Sequence, residues 1–347
     1  MANTDHSNFF GLIRLIAAML VVFGHSFELL GLEYPFKAMY IFVPGPIGVM
    51  IFFSLSGYLV AKSWASDPNI IRFFHRRALR IFPAIIVCTM MTIVILGLFF
   101  STLSLSDYMR REVTWTYLFN CALYIQFILP GVFETTPYPN AVNGSLWTLP
   151  IEFSCYVILG LTLFIVKRGQ SMILLAIVFW LISINQQYFE FYWTRWISES
   201  FVIYASDLRY VFKYGAYFFC GACIGFFRLE RFLNWFVIAL ATTLLIGFLQ
   251  FVYAPFLLPI VVIGLGIRKV TAPFRWTMRT DYSYGIYIYA FPVQQMLASI
   301  DPMMPWAPAF SLTAIVTTIF AAMSWHLIEK PALSSKPRTP TTAVGSA

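Results

Sequence analysis

Charge is what this chain has least of. Only 11% of its 347 residues are Asp, Glu, Lys or Arg, against 60% hydrophobic and 19% aromatic, and the mean hydropathy is +0.76. Soluble domains carry about 25% charged residues, so an ordinary soluble fold is excluded. What remains is an all-α polytopic membrane protein, in which the unit is a span of about 20 apolar residues. Acid is scarcer than base, 15 residues against 23, leaving a net charge of +8. The basic residues fall between apolar stretches rather than forming an aromatic-interleaved face, so nucleic acid is not an expected partner and the lipid bilayer is. Cysteine is equally sparse: Cys88, Cys121, Cys155, Cys220 and Cys223 are scattered through apolar sequence, which argues against a disulfide framework or a zinc ribbon. The four histidines, His6, His25, His75 and His326, have no HExxH or similar spacing, so no metal is expected. Ser54 and Ser56 lie outside any GxSxG elbow, which weakens a serine-hydrolase reading. A removable signal peptide is not expected either: the first thirteen residues contain no Lys or Arg, and the apolar segment after them is too long for an h-region.

What the chain does have is long apolar runs. Hydropathy and turn signals place about ten spans, near 9–30, 46–64, 81–100, 146–166, 171–189, 211–227, 233–253, 256–270, 282–300 and 309–328. Thr116 to Leu129 is shorter and ends at Pro130-Gly131, so a re-entrant or interfacial segment is expected there. Most of the Lys and Arg residues fall on one side of this layout, and the positive-inside rule then puts both termini in the cytoplasm. One transmembrane unit over 8–331 is followed by a Ser-, Thr- and Pro-rich cytoplasmic tail, 332–347, that reads as disordered.

Against this background the ionisable residues inside the spans stand out. Arg14 and His25 lie eleven positions apart in the first span, which puts them within about 20° of one helix face and about 16 Å apart along the axis. Intramembrane ionisable groups are costly unless they face a bundle interior or a wet cavity. The plainer reading is that Arg14 snorkels and His25 hydrogen-bonds a neighbouring helix. Glu152, in the fourth span, could orient an imidazole, bind a sugar hydroxyl, or make an interhelical hydrogen bond; Trp147 could stack on a pyranose. Glu28, one turn beyond His25, reads as interfacial, with a contact to His25 or an acceptor as the functional option. The stretch Ile71 to Arg80, expected as an inner loop, holds Arg76, Arg77 and Arg80. Clustered guanidiniums suit the phosphates of a nucleotide or coenzyme, or simply orient the protein and bind anionic lipid.

Several motifs taken together are identified as those of a known family. They are Arg14 with His25, the GxxGVxxFFxxSGY stretch from Gly45 to Tyr58, the RxxR pair Arg77 and Arg80 before Ile81-Phe82-Pro83, and Ser145-Leu146-Trp147-Thr148-Leu149-Pro150-Ile151-Glu152. Ser283-Tyr284-Gly285-Ile286-Tyr287 and the closing Ile328-Glu329-Lys330-Pro331 complete the set. Over roughly residues 8–331 the chain resembles the membrane-bound acyltransferase 3 family, which includes bacterial O-acetyltransferases of lipopolysaccharide O-antigens, exopolysaccharides and Nod factors. The resemblance implies ten helices in the bacterial inner membrane, acetyl-CoA or another acyl-CoA as cytoplasmic donor with no permanently bound cofactor, and a lipid-linked or exported carbohydrate as acceptor. It implies roles for Arg14 and His25 in acyl transfer and for the RxxR pair near the donor. On that basis Arg76, Arg77 and Arg80 are expected to hold the donor, with His25, Arg14 and Glu152 at the chemistry, direct or through an acyl-enzyme. Glu28, Ser145 and Trp147 are expected toward the acceptor, and polysaccharide-assembly proteins are expected as possible partners. Met50 and Ala290 stand where many members carry an acid and a histidine, which leaves more of the chemistry to His25 and Glu152. The rival expectations are a transporter or flippase of a glycolipid or acyl donor, and a structural subunit of an export complex.

Overall fold

The structure, a computed structural model, is described over residues 8–34, 43–193, 202–203, 206–247, 250–269, 274, 276–277 and 280–335. It is a helical bundle. The helices are α1 (Phe10–Glu28), α2 (Pro44–Ser66), α3 (Ile70–Phe99), α4 (Leu105–Arg110), α5 (Glu112–Thr116), α6 (Thr148–Val166) and α7 (Gln170–Trp193). They continue with α8 (Leu208–Phe226), α9 (Trp235–Gly247), α10 (Gln250–Gly266), α11 (Ser283–Ile300), α12 (Trp306–Ser324) and α13 (Lys330–Ser334). The strand pairing among the described residues is a minimal one, Val202–Ile203 against Ser206–Asp207.

Among the described residues a helix falls within each segment expected to span. Five of these pieces are long and apolar enough to cross a membrane by themselves: Phe10–Glu28, Pro44–Ser66, Ile70–Phe99, Gly144–Val166 and Trp306–Ser334. Their outward faces are apolar. Ile86, Met90, Val94 and Leu98 repeat every four residues along α3, and Leu312, Ile315, Ile319 and Met323 do so at three and four along α12; all are exposed. That is the 3.6-residue period of one helix face turned outward, the arrangement lipid requires.

The expected inner loop before the third span is instead helix. Asn69 caps α3 by accepting a hydrogen bond from the Arg72 N–H at 3.0 Å, and α3 then runs for 30 residues, straight through Pro83. At 1.5 Å per residue it is about 45 Å long, longer than a hydrocarbon core of about 30 Å. The arginines therefore sit on a rigid face rather than in a loop. Thr116 to Leu129 holds a short 3₁₀ turn, Tyr117–Ala122. Its return is set by Asn120, whose side-chain amide donates to the carbonyls of Tyr117 and Gln126, both at 3.0 Å. With Leu129, Val132, Phe133 and Val142 it forms a small core against Ile93 and Leu96 of α3. At the other end of the chain, α13 carries the helix through Ser334; the rest of the expected tail, from 336, and His6 lie outside the described residues.

α2 lies at the centre, packed by α1, α8, α10 and α6. Its small residues allow backbone-to-backbone approach. A Cβ on Gly57 would fall 1.8 Å from the Phe218 carbonyl oxygen of α8, and one on Gly221 of α8 would fall 2.2 Å from the Ser54 carbonyl of α2. Small residues at such crossings replace the hydrophobic drive that helices lack in lipid. Gly57→Leu or Gly221→Leu should therefore lower the yield of monodisperse protein in detergent and drop the unfolding midpoint by several degrees, measured by fluorescence-detected size exclusion after heating, while Gly45→Ala, whose Cβ would meet nothing within 4 Å, should leave both unchanged.

Candidate active site

The close approach of α2 to its neighbours leaves a polar cavity of about 410 Å³ bordered by α1, α2, α3, α6 and α11. Arg14, Arg76, Arg77, Arg80, Glu152, Tyr156, Asp281, Tyr284 and Tyr287 line it. At its mouth a single carboxylate oxygen, Asp281 Oδ2, lies 3.1 Å from Arg14 Nη2 and 2.8 Å from Arg80 Nη2. Ser283 donates its hydroxyl to Asp281 Oδ1 at 2.5 Å. Burial alone would raise the Asp281 carboxyl, but the Arg14 and Arg80 guanidiniums and the Ser283 donors outweigh it and hold it well below the usual carboxylate range. Arg80 also lies 3.8 Å from Glu329 and over the Tyr284 ring at 5.5 Å. Glu329 reaches this wall because α12 continues through a π-helical turn, Trp325–Glu329, and it accepts a hydrogen bond from Ser324 at 2.9 Å.

The arginines expected to bind phosphate are not equivalent. Arg76 donates to Asp67 Oδ2 at 2.6 Å, and Arg72 clasps the same carboxylate through Nε at 2.9 Å and Nη2 at 2.6 Å. Hydrogen bonds from Arg72, then Arg76, hold the Asp67 carboxyl far below its ordinary value. Arg76 thus serves first to fix the α2–α3 corner. Arg77 makes no ion pair among the described residues; its guanidinium lies over the Tyr156 ring at 5.8 Å, and its Nε is buried without a partner. It is the cation of the set without a carboxylate.

Deeper in, Glu152 Oε1 accepts from Ser56 at 2.6 Å and from Tyr156 at 2.5 Å, and Ser56 and Tyr156 are themselves 2.8 Å apart. The interhelical hydrogen bond expected as the plainer role of Glu152 is present, while no contact joins it to His25 among the described residues. The Thr148 and Tyr287 hydroxyls pair at 2.6 Å beyond it, and Phe52 packs edge-on to Tyr287 at 5.7 Å.

His25 is outside this lining. It is edge-on to Phe291 at 5.2 Å, one turn along α11 from Tyr287, with its Nδ1 buried and unpartnered. Arg14 therefore lines the cavity and His25 does not. Of the residues expected toward the acceptor, Ser145 is buried with an unpartnered Oγ, Glu28 is exposed at the end of α1, and Trp147 is half-buried, with the Tyr210 and Tyr214 rings at 4.8 and 5.7 Å. The segment 138–144 covers His25's end of the bundle: Gln295 donates to the carbonyls of Tyr138 and Ala141, both at 2.7 Å.

Sequence reasoning misses Asp281, Asp67, Tyr156 and the Thr148–Tyr287 pair. Asp281 carries a signal, an acid directly before an apolar span in a chain with only 15 acids. Tyr156 carries none, because nothing separates it from the other aromatics until α2 and α6 are brought together; Thr148 and Tyr287 fall inside two of the family motifs, but nothing in the sequence pairs them.

An apolar multi-helix bundle around a cationic, hydroxyl-lined chamber defines a polytopic membrane protein with a buried polar site. The acyltransferase domain family, acyltransferase 3, matches residues 7–326, and the chain belongs to it. It is similar to an "O-acetyl transferase" of Shigella phage Sf6, 31% identical over 93% of this chain and 95% of that one. It is also similar to "Nodulation protein 10" of Rhizobium leguminosarum bv. viciae, 28% identical over 95% of this chain and 94% of that one. No solved structure matches it. The protein is thus a membrane acyltransferase with several spans.

Replacing Asp281 tests the mouth. Asp281→Asn leaves Arg14 and Arg80 facing each other without their shared anion and should cost about 3 kcal/mol, read as a lower unfolding midpoint in detergent. Because the folded carboxyl titrates below its unfolded value of 3.8, its contribution is complete above about pH 4 and is lost as pH falls through the folded pKa; the acid limb of a midpoint-against-pH curve should flatten in Asp281→Asn while the neutral plateau drops.

Proposed function

We propose that the protein is an O-acetyltransferase of the bacterial inner membrane that moves an acetyl group from cytoplasmic acetyl-CoA to a hydroxyl of a lipid-linked or exported carbohydrate. In this reading the chain crosses the membrane about ten times with both termini in the cytoplasm, so the arginine-lined mouth faces the donor. The observation that carries it is Arg77, a cation without a carboxylate partner among the described residues, beside Arg14 and Arg80 at the mouth of the cavity. Such a set favours the phosphates of a coenzyme, and the name of the phage relative supports acetyl as the group moved.

The chemistry follows from His25. Its ring, with a buried, unpartnered Nδ1, takes the proton of the sugar hydroxyl as that oxygen attacks the thioester carbonyl. The new C–O bond forms, the C–S bond breaks, and the proton passes from the imidazolium to the coenzyme thiolate. Arg14 offsets negative charge on the donor side, and Glu28, Ser145 and Trp147 stand toward the acceptor. The family and the named relatives favour acyl transfer, and nothing in them supports carriage of a glycolipid.

Surface or secreted glycans from cells with the intact protein, without it, and with His25→Ala should differ in mass by one acetyl group, present with the intact protein alone. Equal glycans in all three would overturn the carbohydrate acceptor; acetylation retained by His25→Ala would overturn the role of His25.

A further inference from the structure

The polar groups of the cavity fall into separate zones. The mouth is cationic, while the wall beyond it is made of hydroxyls around one carboxylate. Glu152 is fixed there through Oε1 by Ser56 and Tyr156 at 2.6 and 2.5 Å, and its Oε2 makes no hydrogen bond among the described residues although the residue lines the cavity. A carboxylate so positioned repels phosphate and offers a lone-pair acceptor to N–H and O–H donors. The Tyr156 ring carries Arg77 on its face at 5.8 Å, so the acceptor wall begins where the cationic mouth ends.

From this geometry we infer that Glu152, held by Ser56 and Tyr156, is the binding subsite for the pantetheine arm of the donor, receiving its amide or hydroxyl hydrogens on Oε2. The inference rests on the proposed acyl-CoA donor. It assigns Glu152 to the donor and removes it from the sugar and from the His25 imidazole. The chemistry of the arm fits the order of the lining: phosphates meet Arg77 at the mouth, secondary amides and a hydroxyl meet Glu152, and the thioester lies by Thr148 and Tyr287, one turn of α11 from the Phe291 that His25 touches. No covalent step is required of Glu152, which positions the donor through hydrogen bonds alone.

Ligand truncation separates the zones. The full chain, purified in nanodiscs, is titrated by calorimetry with coenzyme A and with adenosine 3′,5′-bisphosphate, which keeps the phosphorylated head and lacks the arm. Glu152→Gln should weaken coenzyme A at least about tenfold, the size of a lost charge-assisted hydrogen bond, while the bisphosphate binds unchanged or tighter because a negative charge has left the cavity. Arg77→Gln should weaken both ligands. Tyr156→Phe keeps the ring under Arg77 and frees the carboxylate from one of its donors; it should weaken coenzyme A alone, and it carries the test if Glu152→Gln does not fold. Coenzyme A binding that is unaffected by Glu152→Gln, or a loss shared equally by both ligands, overturns the inference. Failure of the intact protein to bind either ligand overturns the acyl-CoA donor instead.

Discussion

A guanidinium inside an apolar bundle has to be paired or wet, and in this protein one carboxylate meets that demand for two of them. Asp281 Oδ2 stands between Arg14 of α1 and Arg80 of α3, joining elements that the sequence places far apart. Without it, like charges would face each other at low dielectric, where repulsion is weakly screened. The arrangement of α1, α3 and the start of α11 around the cavity depends on this anion. It also explains why Arg77, one turn before Arg80 on the same helix, is left over: the local acid is already committed.

The bundle makes room for these charges by closing elsewhere. The glycine contacts between α2 and α8 bring two backbones together on one side of α2, so its opposite side can present Ser56 to Glu152 and Phe52 to Tyr287. Tight packing and open polar space are thus two faces of one helix. The Asp67 clasp on Arg72 and Arg76 then fixes the start of α3 through ion pairs that form within a few residues of chain.

Much of this is legible in the amino-acid sequence alone. Arg14 and Glu152 are marked by a plain physical argument, charge where charge is costly, and the RxxR pair by clustered guanidiniums; all of them line the cavity. The periodicity of α3 and α12 is legible for the same reason, since lipid asks for a continuous apolar face. The helical state of Ile71 to Arg80 is not, because a basic stretch between two apolar spans reads as a loop; Asn69 as cap and Asp67 as counter-ion override it. The separation of His25 from Arg14 is hidden too. Helix geometry puts both on one face, but the cavity that takes in Arg14 and leaves out His25 is built by other helices. The tyrosine neighbours of Trp147 are hidden for a related reason, since Tyr210 and Tyr214 come from α8.

The π-helical turn at the end of α12 is a matter of phase. One surplus residue in a helix rotates everything after it by about 100°. With regular α-helix through Trp325–Glu329, the side chain at 329 would leave the wall shared with Arg80, and α13 would leave with it. The surplus residue therefore decides which face of the last helix belongs to the cavity, and a deletion or insertion of a single residue there would redraw the site from a segment that contributes no other acid to it.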